Sequence, residues 1–281
     1  MQKFNGKIAY IFGGSRGIGL ETGKLLAAAG AHVFIFARTA EKLQAAEKAI
    51  SACAFGENQR FGCLSVDVTD HERVAAAIET AKDRFGIPDL LINSAGRGSS
   101  YYFQDISYAE FDRTIKINLY GIWNAVAALA GHMRPGSHIV NVSSIAGFVG
   151  VFGFTGYNAA KFGVIGFSEA LRSELKPRGI WVSVLCPPDT DTPGFHEENR
   201  TKPEETKRIS ANAKLMQPEQ VARALIRGLR KNRFMIIPGF DGKFTYYAKR
   251  LLPGLVAAVM DRDVKKVQKA KKKSRTFNNK R

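Results

Sequence analysis

The sequence of 281 residues has little cysteine and no long uninterrupted apolar segment. Its three cysteines, Cys53, Cys63 and Cys186, form no CxxC pair and have no metal-ligand spacing. This pattern argues against a disulfide framework or a bound metal and predicts a cytoplasmic chain with reduced thiols. The apolar C-terminal stretch, residues 251–260, contains a Pro-Gly pair and is much shorter than the ~20 residues that cross a bilayer. We therefore expect neither a membrane span nor, from the N-terminal residues, a secretory signal.

Acidic residues are also scarce. The sequence has 25 Asp and Glu and 42 Lys and Arg, which gives a formal charge of +17. Ten of the basic residues lie within 262–281, where Asp263 is the only acid. A basic block of this kind is typical of contact with an anionic membrane, of nucleic-acid binding or of a solubilising extension, and composition does not choose among them. Phe277 is the one aromatic residue in this block, so no nucleic-acid partner is expected.

The order of the apolar runs predicts an α/β fold. Seven short runs rich in Ile, Val and Phe alternate with longer helical patterns, which is typical of parallel βαβ units. Both faces of these strands are apolar, so residues 1–238 are predicted to form a doubly wound, seven-stranded, mainly parallel sheet with helices on both faces. Residues 239–281 are predicted to form an appended amphipathic and basic tail. The strand candidates are KIAYIF, HVFIFA, CLSVDV, DLLINSAG, HIVNVSS, WVSVLC and RFMIIP.

A glycine-rich turn follows the first predicted strand. Its spacing is G-x-x-x-G-x-G rather than the G-x-G-x-x-G of the dinucleotide fingerprint. Glycines at a strand-to-helix turn let the backbone approach a pyrophosphate, whose charge is favoured at a helix N-terminus. A plain turn is the alternative, and the position between a strand and a helix favours cofactor binding. The residues assigned to the cofactor here are Gly13, Ser15, Arg16, Gly17, Ile18 and Gly19.

The end of the second predicted strand bears on which nicotinamide cofactor would bind. Residues 37–39 contain no acid that could hold a ribose 2′-hydroxyl. Arg38, together with Arg16, instead offers guanidinium groups suited to a 2′-phosphate. The alternative is that both arginines merely face solvent. The sequence therefore predicts NADPH rather than NADH.

Two further predicted strands end in residues that could line a ligand cleft, because ligands bind at the carboxyl ends of parallel strands. Asp67 and Val68 follow the third strand, and Asn93 begins an Asn-Ser-Ala-Gly sequence after the fourth. Each has a local alternative, since Asp67 could cap the helix near Asp70 and Asn93 could make a turn.

Tyr157 and Lys161 are the strongest catalytic candidates. They lie four residues apart on a predicted helix and so share one face. A nearby ammonium favours the phenolate and lowers its pKa from about 10, which makes the phenol a better proton donor or acceptor at neutral pH. Ser144, thirteen residues before the tyrosine, could orient a carbonyl oxygen beside it. An isolated pair would be an ordinary surface contact, and its place after a nucleotide loop favours catalysis.

Taken together, these motifs resemble the short-chain dehydrogenases/reductases. The glycine loop, Asn-Ser-Ala-Gly, the N-x-x-G of residues 118–121, S-x-x-G from Ser144 and Y-x-x-x-K occur in that family's order over residues 7 to about 190. One departure is Phe12, where the family often has Thr, and it removes a hydroxyl that can brace the glycine loop. The resemblance implies a Rossmann-type fold and a catalytic tetrad of Asn118, Ser144, Tyr157 and Lys161.

The resemblance also implies further roles at the site. Lys161 would hold the nicotinamide ribose, and Asn118 would keep a water molecule in the proton relay. Asp67 and Val68 would meet the adenine. The cofactor cleft would be lined by Asn93, Ala95 and Gly96.

The polar segment after the sixth predicted strand extends the resemblance. The stretches PPDTDTPGFHEENRTKPEET and VGVFGFTGY are similar to the 3-ketodihydrosphingosine (3-dehydrosphinganine) reductases of that family, which implies a long-chain keto-sphingoid base as substrate. Pro187 and Pro188 would stiffen the segment over the nicotinamide, while Thr190 and Thr192 would donate hydroxyls to the carboxamide or phosphates. Residues 196–207 would form a mobile lid or, alternatively, an ordinary solvated helix and loop.

The implied reaction is the NADPH-dependent reduction of 3-ketosphinganine to sphinganine. Another ketone or 3-oxoacyl reductase of the family is one alternative, and a non-catalytic nucleotide sensor with a nucleic-acid-binding tail is a remote one, against which the intact tetrad argues. Family members are commonly dimers or tetramers, so a homo-oligomer is expected. Residues 244–260 offer aromatic and aliphatic side chains before the basic block, which predicts a cytoplasmic enzyme peripheral to an anionic membrane.

Overall fold

The computed structural model describes residues 4–211 and 214–278, and it confirms the α/β fold expected from the sequence. The seven strands are β1 (Ile8–Phe12), β2 (His32–Ala37), β3 (Phe61–Ser65), β4 (Leu90–Asn93), β5 (His138–Val142), β6 (Trp181–Leu185) and β7 (Met235–Ile236). They form one sheet in the order β3-β2-β1-β4-β5-β6-β7. Every neighbouring pair is parallel.

The third strand begins two residues earlier than the sequence indicated and ends at Ser65. Its register explains the difference, because Ser65 pairs with Ala37, the last residue of β2, and β3 has no neighbour beyond that point. Val66 and Val68 are buried in the connection that follows the strand.

Helices cover both faces of the sheet, as expected for strands that are apolar on both sides. The helices α3, α5 and α6 contribute to the core on one face, and α1, α2 and α9 to the core on the other. The helices of the described residues are α1 (Gly17–Ala27), α2 (Ala40–Ser51), α3 (His71–Phe85), α4 (Tyr108–Ile115), α5 (Gly121–Leu129), α6 (Thr155–Leu175), α7 (Pro193–Asn199), α8 (Glu204–Ser210), α9 (Pro218–Arg230), α10 (Phe240–Leu251) and α11 (Pro253–Asn278).

Side chains of β1 and β2 alternate between the two cores, as the two-residue period of a strand requires. Tyr10, Phe12, Phe34 and Phe36 belong to the core with α3, α5 and α6, whereas Ile11 belongs to the other. Phe12 stacks on Phe36 with ring centroids 4.3 Å apart and planes 8° apart. The aromatic ring at position 12 therefore fills the core at the end of β1.

The position of the site follows from the strand order. β1 lies between β2 and β4, so the chain leaves β1 towards one half of the sheet and later returns to build the other half. In doubly wound sheets, ligands bind at such a reversal, beyond the carboxyl ends of the strands. The glycine turn after β1 and the segments after β4, β5 and β6 all meet there.

The C-terminal helices pack against the rest of the chain. The ring of Tyr246 on α10 meets that of Phe148 edge to face, with centroids 5.2 Å apart. The ammonium of Lys271 on α11 donates to the Glu205 carboxylate at 3.0 Å and to the Tyr102 hydroxyl at 2.6 Å. The appended tail is therefore docked through both of its helices.

The helix α11 carries eight of the ten basic residues of the C-terminal block, and the remaining two, Lys280 and Arg281, lie outside the described residues. In the part of the chain that the structure describes, no helix combines the length and apolar character needed to cross a membrane.

Candidate active site

The glycine loop at the end of β1 is packed too closely for larger side chains. A Cβ on Gly13, whose φ is +78°, would lie 2.5 Å from the backbone nitrogen of Ala95. Gly17 also has a positive φ, +57°, and a Cβ there would lie 3.0 Å from Cγ2 of Thr192. A Cβ on Gly19 would collide with the carbonyl oxygen of Gly13. The loop therefore requires these glycines for its conformation and its close contacts.

The N-terminus of α1 is open to an anionic ligand. Arg16 is its N-cap residue, and no side chain of the described residues caps the first turn. Gly17 and Ile18, the first residues of the helix, line the adjacent cleft. Uncapped N–H groups at a helix N-terminus favour a phosphate or pyrophosphate.

A cleft of about 1150 Å³ runs from the glycine loop past the catalytic candidates to α10 and α11. Two of the candidate cofactor residues, Gly19 and Asn93, do not line it. The candidates on its wall are Gly13, Ser15, Arg16, Gly17, Ile18, Arg38, Asp67, Val68, Ala95, Gly96, Tyr157, Lys161, Pro187, Thr190 and Thr192.

Asn93 connects secondary-structure elements behind the cleft. Its Nδ2 donates to Oδ1 of Asn141 at 2.9 Å, and Nδ2 of Asn141 donates to the Ser168 hydroxyl at 2.9 Å. These bonds join β4, β5 and α6. In this structure Asn93 therefore contributes to the cofactor site indirectly. It holds the end of β4, and the chain continues from there to Ala95 and Gly96 on the cleft wall.

Asp67 and Val68 form the turn after β3. One oxygen of Asp67 accepts from the backbone nitrogen and from the hydroxyl of Thr69, both at 2.9 Å. The cap of α3 is Asp70, which accepts from the nitrogen of Arg73 at 3.1 Å. Asp67 therefore holds its own turn rather than capping the helix, and it remains on the cleft wall.

The two arginines considered for a 2′-phosphate differ in their environment. Arg38 is exposed, and its side chain has no hydrogen-bond or ion-pair partner among the described residues. Arg16 donates to Glu197 of α7 at 2.9 Å, and this hydrogen bond lowers the pKa of Glu197. Glu197 could not be found from the sequence, because nothing in the local sequence of α7 indicates that this residue meets the glycine loop.

The segment after β6 is anchored by its own polar groups. The Thr190 hydroxyl donates to the carbonyl oxygen of Pro188 at 2.8 Å, and the Thr192 hydroxyl caps α7 by accepting from the nitrogen of Phe195 at 3.2 Å. The carbonyl oxygen of Pro187 accepts from the nitrogen of Ile145 at 3.1 Å. These bonds hold the segment against the residues that follow β5.

Three of the four tetrad candidates meet at the junction of β5 and α6. The side chain of Ser144, just after β5, lies beside the phenol of Tyr157 and lowers its pKa, and it accepts from the nitrogen of Ala146 at 3.1 Å. The ammonium of Lys161 donates to the carbonyl oxygen of Val142 at 3.0 Å. It lies 5.5 Å from the centroid of the Tyr157 ring. The helical spacing read from the sequence thus places the pair on one face of α6, beside the serine.

Asn118 joins this group through a local change in helix geometry. It lies in a π-helical turn, Lys116–Tyr120, and is fully buried. Its amide nitrogen donates to the carbonyl oxygens of Thr114 and Arg97, both at 3.0 Å, and its oxygen accepts from the nitrogen of Arg97 at 3.2 Å. A Cβ on Gly96 would lie 3.0 Å from Oδ1 of this asparagine and 3.6 Å from the ammonium nitrogen of the tetrad lysine, so all four side chains surround one space.

The protonation states differ from those expected from the sequence. Burial raises the pKa of Tyr157, and so do the negative charges of Glu198 and Asp189, while the hydrogen bond from Ser144 opposes them. Burial lowers the pKa of Lys161 to about 8. The sequence predicted that the lysine would lower the pKa of the phenol, but in this structure the pKa of the phenol is raised, first by burial and then by the two carboxylates. The phenol is therefore protonated at neutral pH.

A buried charged cluster beside the tyrosine was not anticipated. Lys202 lies 2.9 Å from Glu198 and 3.9 Å from Asp189, and its side chain is 2% exposed. The sequence suggested a mobile lid or a solvated helix and loop for this segment, yet Lys202, Glu205 and Thr206 are buried. The spacing of four between Glu198 and Lys202 was the available signal, but it is more typical of a surface pair.

Comparison with known proteins agrees with this geometry. The family model for short chain dehydrogenases matches residues 7–203. A 3-dehydrosphinganine reductase of Danio rerio is 39% identical over 243 residues, which are 85% of this chain and 73% of that protein. A 3-ketodihydrosphingosine reductase of Bos taurus is 39% identical over 236 residues, or 83% of this chain and 71% of that protein.

A crystal structure of a short chain dehydrogenase/reductase from Burkholderia phymatum in complex with NAD has a TM-score of 0.78 to this chain, at 23% identity. The matched region covers 91% of this chain and 96% of the chain in that crystal structure. At that identity the likeness concerns the fold.

The site and the matched family model together define an oxidoreductase that uses a nicotinamide cofactor. Within that class, the chain belongs to the short-chain dehydrogenase family. The residues fit such a cofactor, because the open N-terminus of α1 suits a pyrophosphate and the cleft continues from there to Tyr157.

Proposed function

We propose that this chain catalyses the NADPH-dependent reduction of 3-ketosphinganine to sphinganine, a step of sphingolipid biosynthesis. The two relatives that are 39% identical, named for 3-dehydrosphinganine and 3-ketodihydrosphingosine reduction, support the proposal. The observation that carries it is the form of the cleft, which has a polar end at Tyr157 and an apolar arm along α10 and α11. A substrate with a small polar head and a long alkyl chain matches both ends.

The apolar arm is suited to an alkyl chain. Val149, Val151 and Phe154 line the cleft near the catalytic tyrosine, and α10 and α11 supply the wall beyond them. Burying such a chain contributes about 25 cal/mol per Å² of apolar surface removed from water. The apolar wall residues from the two C-terminal helices are Phe240, Phe244, Ala248, Leu255, Val256, Val259 and Met260.

In the proposed reaction Tyr157 donates a proton to the carbonyl oxygen. Its raised pKa keeps the phenol protonated at neutral pH, which is the form that reduction needs. Ser144, which lies beside the phenol, would orient and polarise the same oxygen. The nicotinamide cofactor, when bound, supplies the hydride.

Lys161 and Asn118 would support the proton donor. With a pKa of about 8, the lysine ammonium has a proton to return to the phenolate left by the transfer. One of its three donors is used on Val142, which leaves two for a ribose hydroxyl or a water molecule. The water implied by the family resemblance would lie near Gly96, where the asparagine oxygen and the ammonium approach the same point.

We assign the cofactor as NADPH because cationic groups surround the place where an adenosine ribose would lie. Arg38 and Lys42 line this part of the cleft with Arg16, and no acid occurs at residues 37–39. A 2′-phosphate favours guanidinium groups in such a position. Glu197 would have to share Arg16 with it, so Arg38 carries the greater part of the preference.

We further propose that the enzyme works at the cytoplasmic face of an anionic membrane. The helices α10 and α11 present large apolar side chains to solvent next to the apolar arm of the cleft, and the basic block follows on α11. Apolar surface with adjacent lysines is the combination that binds anionic bilayers. The exposed apolar residues are Phe240, Phe244, Tyr247, Leu251, Leu252, Leu255 and Val259.

A homo-oligomer also stays a proposal. Tyr120, Trp123 and Phe162 are about half exposed on the turn before α5 and on α5 and α6, and they offer apolar surface to a second copy of the chain. Sedimentation of the purified protein would distinguish a monomer from a dimer or tetramer.

NADPH oxidation by the purified protein tests the proposed activity. We expect turnover with 3-ketosphinganine and little with short 3-oxoacyl thioesters, since the latter leave the apolar arm empty. The opposite preference would instead support a 3-oxoacyl reductase of the same family. The absence of turnover with any ketone would overturn the assignment as a reductase.

A further inference from the structure

Two carboxylates that line the catalytic cleft neither donate nor accept a proton in the proposed reaction. Asp189 follows β6, and Glu198 lies on α7 with its side chain 10% exposed. Glu198 is packed against Gly98 of the loop after β4, where a Cβ would collide with the carboxylate. The Glu198 carboxylate therefore fits inside the cleft because the residue opposite it, Gly98, has no side chain.

The two carboxylates share a single cation. Lys202 lies 2.9 Å from Glu198 and 3.9 Å from Asp189, and among the described residues it alone forms an ion pair with either. Its ammonium lies 4.9 Å from the ring centroid of Phe195 and 5.6 Å from that of Phe154. The two carboxylates and the lysine together carry one net negative charge, and of these three side chains only the carboxylates line the cleft.

This negative charge lies beside the proton donor. The ring of Phe154 contacts the ammonium of Lys202, and its centroid lies 5.6 Å from that of the Tyr157 ring. Negative charge at this place opposes the phenolate that forms when Tyr157 gives up its proton. A second cation, brought by the substrate, would balance the carboxylates during the reaction.

We propose that Asp189 and Glu198 bind an ammonium group adjacent to the reacting carbonyl, so that the site selects α-amino ketones. The assignment rests on the proposed function, because 3-ketosphinganine carries its amine on the carbon bonded to the carbonyl carbon. With the carbonyl oxygen at Tyr157 and Ser144, such an ammonium faces the carboxylates. A 3-oxoacyl thioester has no cation at this position and gains nothing from them.

The test compares 3-ketosphinganine with its desamino analogue, a long-chain 1-hydroxy-3-ketone, in Glu198→Gln and Asp189→Asn. Each variant removes one charge and keeps the shape of the side chain. We expect kcat/KM for the amino ketone to fall about tenfold or more, since a charged contact is lost. We expect kcat/KM for the desamino ketone to fall much less, so that the preference for the amino ketone is reduced, because the desamino ketone has no ammonium to lose a contact.

Glu204→Gln is the matched control. Glu204 is exposed on α8 and pairs with Lys207 at 2.7 Å, so its substitution should leave the ratio of the two substrates unchanged. NADPH binding by each variant checks that the cleft is intact. Glu198→Gln leaves Lys202 buried beside a neutral amide, and Asp189→Asn, which is farther from the lysine, is the variant more certain to fold.

The wild-type protein supplies a second test that needs no variant. We expect it to prefer the amino ketone over the desamino ketone by about tenfold or more. Equal kcat/KM for the two ketones, or equal losses on both in Glu198→Gln and Asp189→Asn, would overturn the amine site and leave the proposed activity standing. A wild-type protein that reduces only other ketones would overturn the proposed function and the amine site together.

Discussion

The ammonium nitrogen of Lys161 lies 5.5 Å from the centre of the Tyr157 ring, one turn along α6. Burial places the pKa of this lysine near 8, whereas burial and neighbouring carboxylates raise the pKa of the tyrosine. The lysine therefore changes charge close to neutral pH while the phenol keeps its proton. We therefore expect the titration of Lys161 to determine the pH dependence of kcat/KM near neutral pH.

We expect kcat/KM for NADPH to fall as pH rises through about 8, because Lys161 then loses the charge that helps to hold the cofactor. The direction follows from its lowered pKa, since an ordinary lysine stays charged to about pH 10. Lys161→Arg keeps its positive charge to higher pH, so the fall in kcat/KM for NADPH should move above pH ~9. The overall rate of this variant should be lower. A profile identical in both proteins would show that another group titrates.

Tyr157→Phe should fold and bind NADPH but lose about 10²–10⁴-fold in kcat, because it removes the oxygen that carries the proton. Tyr108→Phe is the control, since Tyr108 is 83% exposed on α4. Steady-state rates and NADPH fluorescence titration give the two readouts. Near-normal turnover by Tyr157→Phe would contradict the assigned proton donor.

Arg38→Asp should raise the KM for NADPH much more than that for NADH, because a 2′-phosphate would then meet a like charge. Arg134→Asp makes the same charge change on an exposed residue before β5, at the amino ends of the strands and away from the cleft, and should affect neither value. Equal use of the two cofactors by the wild-type protein would be the contrary result.

Glu205→Gln should loosen α11. Burial favours a protonated Glu205, yet hydrogen bonds from Tyr102 and Lys271 bring its net pKa below the ordinary value. A carboxyl group whose pKa is lower in the folded state stabilises the fold at pH values above its pKa in the unfolded chain. This stabilisation is lost as the pH falls through its pKa in the folded state. We expect about 1–3 kcal/mol of destabilisation at neutral pH and faster proteolysis within residues 240–278. Glu204→Gln should change the unfolding free energy by less than about 0.5 kcal/mol.

Reversing exposed charges on α11 should weaken binding to anionic vesicles. Each basic residue near such a surface contributes up to ~1 kcal/mol, so a triple reversal should reduce binding at least about tenfold at low salt. Co-sedimentation with vesicles that contain phosphatidylserine, compared with neutral vesicles, measures this. The variant is Lys265→Glu, Lys269→Glu and Lys273→Glu, and the control reverses the exposed Lys48, Lys176 and Lys231. Equal binding to anionic and neutral vesicles, or unreduced binding by the α11 variant, would contradict a role of the tail in membrane binding.

Local patterns were sufficient for much of the fold. The strands of this sheet are continuous apolar runs between polar turns, and that signal does not depend on their neighbours. The end of β3 did depend on a neighbour, because Ser65 is the last residue that finds a partner in β2. Tyr157 and Lys161 could be paired from spacing alone, since a helix places residues four apart on one face.

The sequence by itself determined the parallel sheet, the glycine loop and the catalytic residue types, because each depends on a short and regular pattern. The tertiary structure decided the electrostatics. It half-buried Tyr157, buried Lys161, placed Glu197 against Arg16, and packed α10 and α11 along the cleft. It also turned a polar segment, which reads as solvated, into a buried cluster around Lys202. Burial and long-range pairing set the energy of a charge, and both depend on residues distant in the sequence.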